Sequence, residues 1–338
     1  MQTLRKTLFF LFLSLCILPQ IHPPVALVLG SIIGLGLGNP YLNLSHHWSK
    51  KLLKISVVGL GFGITAQQVG SVGADAAIYT AIGIASIFLS GFILARLIRV
   101  ESQTALLVTT GTAICGGSAI AAMAPVIDAR QHSISVALAT VFTLNAIGLL
   151  LFPPVGHALG LTEGQFGVWA AIAIHDTSSV VGACATYGTH ALAIGTIIKL
   201  TRALWIIPVS LIAAHFVRSS RTVKVPWFLG GFVLAALLQS FAPPIHLTDQ
   251  TTLFALLALI ARQSLVVTIF LIGAGLTPKL LARVGHRPLL LAVALWILAS
   301  TVSLTAILSG LVPIPDLPAE SVSPSATVPL EHRHLEPT

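Results

Sequence analysis

The chain has 338 residues, of which 55% are hydrophobic and only 8% charged, with a mean hydropathy of +0.95. A soluble domain carries roughly 25% charged residues, so a water-soluble globule is excluded. The net charge of +8 is carried mostly by Lys and Arg in short loops, as membrane orientation requires, and needs no nucleic-acid partner to explain it.

Apolar runs of roughly 20 residues predict an all-α, polytopic membrane protein surrounded by lipid, because only helices satisfy their own backbone in a bilayer. The alternating segments of roughly ten residues that a membrane β-barrel needs are absent. In chain order the runs fall near 5–20, 23–38, 51–69, 75–98, 103–127, 132–155, 165–187, 190–216, 226–243, 255–277 and 287–311, about eleven transmembrane helices. The first run has the basic start of a signal peptide but no small-x-small cleavage site, and reads as a helix. Residues 1–311 make the transmembrane transporter domain. The Pro-, Ser- and Glu-rich stretch 312–338 predicts a disordered C-terminal tail.

The cations set the orientation. Arg5 and Lys6, then Lys50, Lys51 and Lys54, then Arg96 and Arg99, then Arg218, Arg221 and Lys224, and finally Lys279, Arg283 and Arg287 fall in alternate segments between spans, all on the inner side. Arg130 is the one exception. The N-terminus is expected in the cytoplasm and the C-terminus outside, in a cell (inner) membrane.

Two stretches, "LGFGITAQQVGSVG" (60–73) and "IGAGLTPKLLARVG" (272–285), share a Gly-x-Gly-aliphatic-Thr core. They close the third and tenth spans, seven apart, so the copies run in opposite directions. Inverted repeats characterise secondary transporters, whose substrate sites lie where discontinuous helices meet. Two segments look discontinuous: "TTGTAICGGSAIAAMAP" (109–125) and "AIHDTSSVVGACATYG" (173–188). Gly116 and Gly117 weaken a helix, and the polar run Asp176, Thr177, Ser178, Ser179 opens one whose amides and dipole would favour an anion. The two segments are alike, yet lie two spans apart. If both crossed the membrane they would run parallel, so either one is re-entrant or the likeness is compositional.

His175, Asp176, Lys199 and Arg202 stand in apolar surroundings, where a charge costs about 2.5–3.5 kcal/mol on insertion scales. Lys199 and Arg202 share a helix face. Either Asp176 neutralises one of them as a structural pair, or surplus positive charge binds an anion. Gly117, Ser118, Thr177 and Ser178 are the accompanying substrate-binding candidates, and Asp176 with His175 the proton-coupling ones. Asn145 is a weaker candidate, and Arg262 is expected to snorkel to the outer surface. Cys16, Cys115 and Cys184 lack paired spacing, and the twelve histidines show no metal-ligand pattern. No metal, cofactor or nucleotide motif is expected. Ser118, Cys115 and His175 lack the motifs of a hydrolase, so no enzyme activity is expected.

"ICGGSAIAAMAPVI", "AIHDTSSVVGA", "KLTRALWIIPV" and "LIGAGLT" resemble the YeiH-type family of bacterial inner-membrane proteins, named as sulfate exporters, over about residues 23–310. The resemblance implies a transporter related in fold to sodium/proton antiporters and bile-acid sodium symporters, with inverted repeats and crossed, broken helices. It carries over His175, Asp176, Lys199, Arg202, Cys115 and Gly116. Many members have Glu where this chain has Ala124, which leaves Asp176 as the proton carrier if there is one. The function expected is secondary transport of a small inorganic or organic anion, sulfate or sulfite first, with a proton or sodium as the coupling ion. The alternative is a cation/proton antiporter with Asp176 as carrier. The sequence leaves a homo-oligomer open.

Overall fold

The computed structural model describes residues 2–217, 227–243, 245–248, 251–276 and 285–315. Most of the expected tail lies outside them, as do Arg218, Arg221, Lys224, Lys279 and Arg283. The described residues are helical almost throughout, with one two-stranded antiparallel ribbon, His246–Thr248 and Thr251–Thr252. Five helices among the described residues are long and apolar enough to cross a membrane.

Two bundles pack side by side. The smaller contains α1 (Gln2–Leu15), α2 (Pro23–Ser31, continuing as a π-helical turn Ile32–Leu37), α3 (Leu42–Leu60), α12 (Trp227–Phe241) and α13 (Leu253–Ala274). Here Phe9, Ile33, Phe270 and Ala274 make a separate apolar core. The larger contains α4 (Ala66–Ile98), α5 (Ser102–Ala113), α6 (Gly117–Val126), α7 (Gln131–Ala158), α8 (Glu163–Ala173), α9 (Thr177–Tyr187), α10 (Thr189–Leu204), α11 (Ile206–Val217) and α14 (His286–Leu308). On α4, Ile78, Ile82, Leu89, Ile93 and Leu97 form an exposed apolar stripe at helical spacing. Lipid is the solvent that such a stripe fits.

The third and fourth expected spans need their boundaries moved. Gly61–Gly63 form a short 3-10 turn that ends α3, so the helix runs 42–60 and not 51–69. Thr65 then opens α4 with a reciprocal capping box to Gln68, which starts the next helix nine residues before the expected position 75. Lys50, Lys51 and Lys54 therefore lie inside α3, not in a loop before it.

A larger correction concerns segments 103–127 and 165–187, expected as crossing spans. Each is a hairpin of two short helices that returns to the end it came from. Half-helices of 10–12 residues reach only about 15–18 Å, short of the roughly 30 Å of hydrocarbon. The ends of the first hairpin are tied together: Ser133 Oγ donates to Glu101 Oε2 at 3.0 Å, Arg130 N donates to Gln103 Oε1 at 3.0 Å, and Arg130 faces Glu101 at 4.0 Å. Glu101 also caps α5, and hydrogen bonds from the Thr104 side chain first, with Ser133 and Arg130 adding, hold its carboxyl below the usual carboxylate range. The second hairpin closes the same way. Tyr187 Oη donates to Leu161 O at 2.6 Å, the Tyr187 ring stacks on Phe166 at 3.8 Å, and Glu163 accepts from the amides of His190 and Ala191.

Between them runs α7, 28 residues or about 42 Å long, so the hairpins enter from opposite ends of the molecule. Re-entrance removes two crossings from the expected eleven. It also moves Arg130 to the end that holds Arg99 and Arg287, whose Nη1 donates to Arg99 O at 3.4 Å. The exception in the charge pattern was a miscounted span.

Candidate functional site

The two hairpin tips, residues 114–116 and 174–176, meet in the middle of the larger bundle. A Cβ added to Gly116 would lie 3.1 Å from both Cα and Cβ of Asp176. Gly116 also has φ +65°, a left-handed backbone that glycine adopts without steric cost. Its amide donates to Gly111 O at 2.9 Å, which folds the first tip tightly.

Each break leaves one helix ending in unpaired carbonyls and the next beginning with unpaired amides. At the carbonyl ends stand the two buried cations. Arg202 donates from Nε to Ala113 O at 2.6 Å, from Nη1 to Ile172 O at 2.5 Å and from Nη2 to Thr112 O at 3.3 Å. One guanidinium thus joins the ends of α5 and α8. Lys199 Nζ donates to Ile174 O at 2.7 Å and Ala171 O at 3.3 Å. Lys199 and Arg202 are 0% and 1% exposed, so their nitrogens are used and enclosed. The sequence reading offered this pair an anion or the Asp176 carboxylate as partner. In the structure backbone carbonyls occupy the pair, and neither cation forms an ion pair with Asp176 among the described residues.

The amide ends are arranged differently. Asp176 is the N-cap of α9: Ser178 N donates to its Oδ2 at 2.9 Å, and the Ser178 hydroxyl also bonds there. From α7, Asn145 Oδ1 accepts from His175 N at 3.2 Å and Asp176 N at 3.1 Å, fixing the second tip. At the start of α6 no side chain caps the helix. Ser118 Oγ donates to Cys115 O at 3.0 Å and lies 2.9 Å from Cys115 Sγ. Ser118 is exposed, Gly117, Asp176 and Ser178 are half-buried, and Thr177 is buried. His175 is 1% exposed, with neither ring nitrogen bonded. Ala124, where the resemblance expects Glu in many members, is buried in α6.

Of the expected residues, Gly117, Ser118, Asp176, Thr177 and Ser178 come together at the meeting tips. Lys199 and Arg202 brace the tips from the carbonyl side. Sequence reasoning underrated Asn145, whose only signal was a lone amide in an apolar span. It missed Phe142, whose ring lies against Gly117 and under Lys50 Nζ, 5.7 Å from its centroid.

A multi-pass helical membrane protein with paired re-entrant hairpins is the class that these features define. Residues 7–292 match the family described as conserved hypothetical protein 698. The chain is 45% identical over 314 residues to a UPF0324 membrane protein of Bdellovibrio bacteriovorus, covering 91% of this chain and 95% of that one. It is 48% identical over 305 residues to a UPF0324 membrane protein of Geobacter sulfurreducens, covering 90% and 96%. A relative in Vibrio vulnificus is 45% identical over 309 residues, covering 89% and 97%. No solved structure matches. The chain belongs to the YeiH-type, UPF0324 family of membrane proteins.

Proposed function

We propose that the protein is a secondary transporter of a small anion, sulfate or sulfite first, bound where the hairpin tips meet. One observation carries this reading: the charge balance at the tips. Each half-helix end contributes about half a unit of charge, negative at its carbonyls and positive at its amides. The two carbonyl ends are bonded by Lys199 and Arg202, and the amide ends of α6 and α9 face Asp176. Roughly one unit of positive charge is left over, and the accessible groups beside it are Gly117, Ser118 and Ser178. Lys199 and Arg202 thus favour an anion through the bonds they make to the backbone, not by touching it.

Coupling follows from the same geometry. The Asp176 carboxylate and a bound anion compete for amides of one small region. Anion binding therefore raises the proton affinity of Asp176, and protonation frees the α9 amides for the anion. His175, unbonded and adjacent, is the proposed relay. In this reading the hairpins are inverted repeats, which accounts for their likeness. The N-terminus is cytoplasmic, the C-terminus outside, and the membrane the cell's inner one. The reading assigns transport and no catalysis.

A second reading has its own support. Asp176 has no ion-pair partner among the described residues, as a proton or cation carrier requires, so cation/proton antiport remains the competitor. Proteoliposomes decide between them. Sulfate or sulfite uptake that responds to an imposed pH gradient supports anion transport. Proton flux driven by sodium or potassium, indifferent to the anion present, supports the antiporter.

A further inference from the structure

A cleft separates the two bundles away from the hairpin tips. It is partly open and is lined by Leu60 at the end of α3, Gly63 and Ile64 just after it, Leu192, Ala193 and Thr196 from α10, and Arg262 from α13, with Thr189 at its rim. Two of these groups lack partners. The Thr196 hydroxyl is fully buried with no hydrogen bond. Arg262 makes no hydrogen bond or ion pair among the described residues, unlike Arg202, each of whose three nitrogens reaches a carbonyl. Arg262 lies nine residues into α13, about 14 Å from its start. A Cβ on Gly63 would come 3.9 Å from its Nη2, so Arg262 faces the cleft. A half-buried guanidinium without a protein partner among the described residues, beside an unpaired hydroxyl, offers donors to a ligand with acceptor oxygens.

Lys50 adds an independent observation. It stands ten residues before Leu60 of "LGFGIT", and Arg262 stands ten residues before Ile272 of "IGAGLT". Of the cations of the smaller bundle, Lys50 and Arg262 thus hold equivalent positions relative to the two like stretches. Each faces the larger bundle: Lys50 over Phe142 of α7, the helix after the first hairpin, and Arg262 beside α10, the helix after the second.

We propose that Arg262 and Thr196 bind a small, singly charged oxyanion or carboxylate in this cleft, as a station on the way to the hairpin tips, with Lys50 as the corresponding cation on the opposite side. The proposal rests on the anion reading and narrows its substrate class. Arg262 neutralises one negative charge. A divalent anion would leave a second one against Leu60, Ile64, Leu192 and Ala193, an uncompensated charge in apolar surroundings. The singly charged form of a substrate is the one admitted.

The test is protection of a thiol at the rim. The native cysteines are buried, so Thr189→Cys in the purified, full-length protein reports on the cleft. Acetate should slow its labelling by a maleimide in a saturable way, and sulfate at matched ionic strength should not. Arg262→Gln should abolish the protection and Thr196→Val should weaken it, each on a background that still elutes as a single folded species. If Arg262→Gln fails to fold, Thr196→Val carries the test. Unchanged protection in these variants, or no protection by acetate at all, overturns the proposal. Equal protection by sulfate overturns the charge selection. Labelling needs no gradient, so a protein that is protected but inert in flux assays sustains this site and removes the transport reading.

Discussion

The two hairpin tips are built from similar sequence and finished differently. In the second, Asp176 caps the following helix with its own carboxylate, and Asn145 from α7 holds the backbone of 175–176. In the first, Gly116 takes the place of the acid, no side chain caps α6, and Ser118 is exposed. One tip brings its own anion; the other is left without one. Where a pair of helix starts differs in this way, the open start is a place for a foreign anion, and the capped one is a place where a proton changes the balance.

The difference matters only if the tips meet from opposite sides. The largest effect expected is therefore all-or-none. A single cysteine at Arg130 and another at Gly160 should react with impermeant reagents from opposite faces of the membrane, Arg130→Cys from the side that holds Arg99. If α5 and α6 crossed the membrane in sequence, the Arg130 position would share a face with neither Arg99 nor Arg287, and the comparison collapses.

Next in size is Arg202→Gln. Its guanidinium bonds three carbonyls from both hairpins, and charged hydrogen bonds are worth about 1.5–3 kcal/mol each. A guanidinium that only held an anion would leave a folded, inactive variant when removed. The bonded guanidinium predicts instead a marked fall in thermal stability, read by fluorescence-detected melting in detergent. A variant as stable as the wild type would mean that the cation is free for a ligand.

Gly116→Ala sharpens the contrast at lower cost. Its backbone, at φ +65° and ψ −127°, lies where side-chain-bearing residues are rare and should cost about 1–3 kcal/mol, and the new methyl would press on Asp176. Moderate destabilisation with loss of anion flux is expected. The same melting assay, run beside flux, checks it, and wild-type flux would show that the tips need not touch.

Much of this was legible beforehand, and the reasons for the rest are physical. Composition gave the helical membrane class, and Gly116–Gly117 with Asp176–Ser179 marked both breaks. Hydropathy cannot separate a crossing helix from a hairpin of equal length, because 22 apolar residues read alike whether or not the chain turns back. The signals that could have done so were Arg130 on the wrong side and two like segments with an apparently parallel arrangement. Lys199 and Arg202 were found as buried cations. Their partners were not, because backbone carbonyls leave no trace in side-chain patterns. The lone Arg262 gave no hint that Gly63 and Thr196 would line a cleft with it.

The central claim is that a bound anion and the Asp176 carboxylate share the amides at the hairpin tips. Its most direct test is proton uptake on sulfite binding, followed in weakly buffered solution with purified wild-type protein and Asp176→Asn. Asn caps a helix about as well as Asp, so the variant should stay folded and bind the anion. The wild type should take up a proton as the anion binds and bind more tightly as pH falls. Asp176→Asn should bind with no proton uptake and no such pH dependence. Equal proton uptake by the two proteins would contradict the account and leave Asp176 as a helix cap alone.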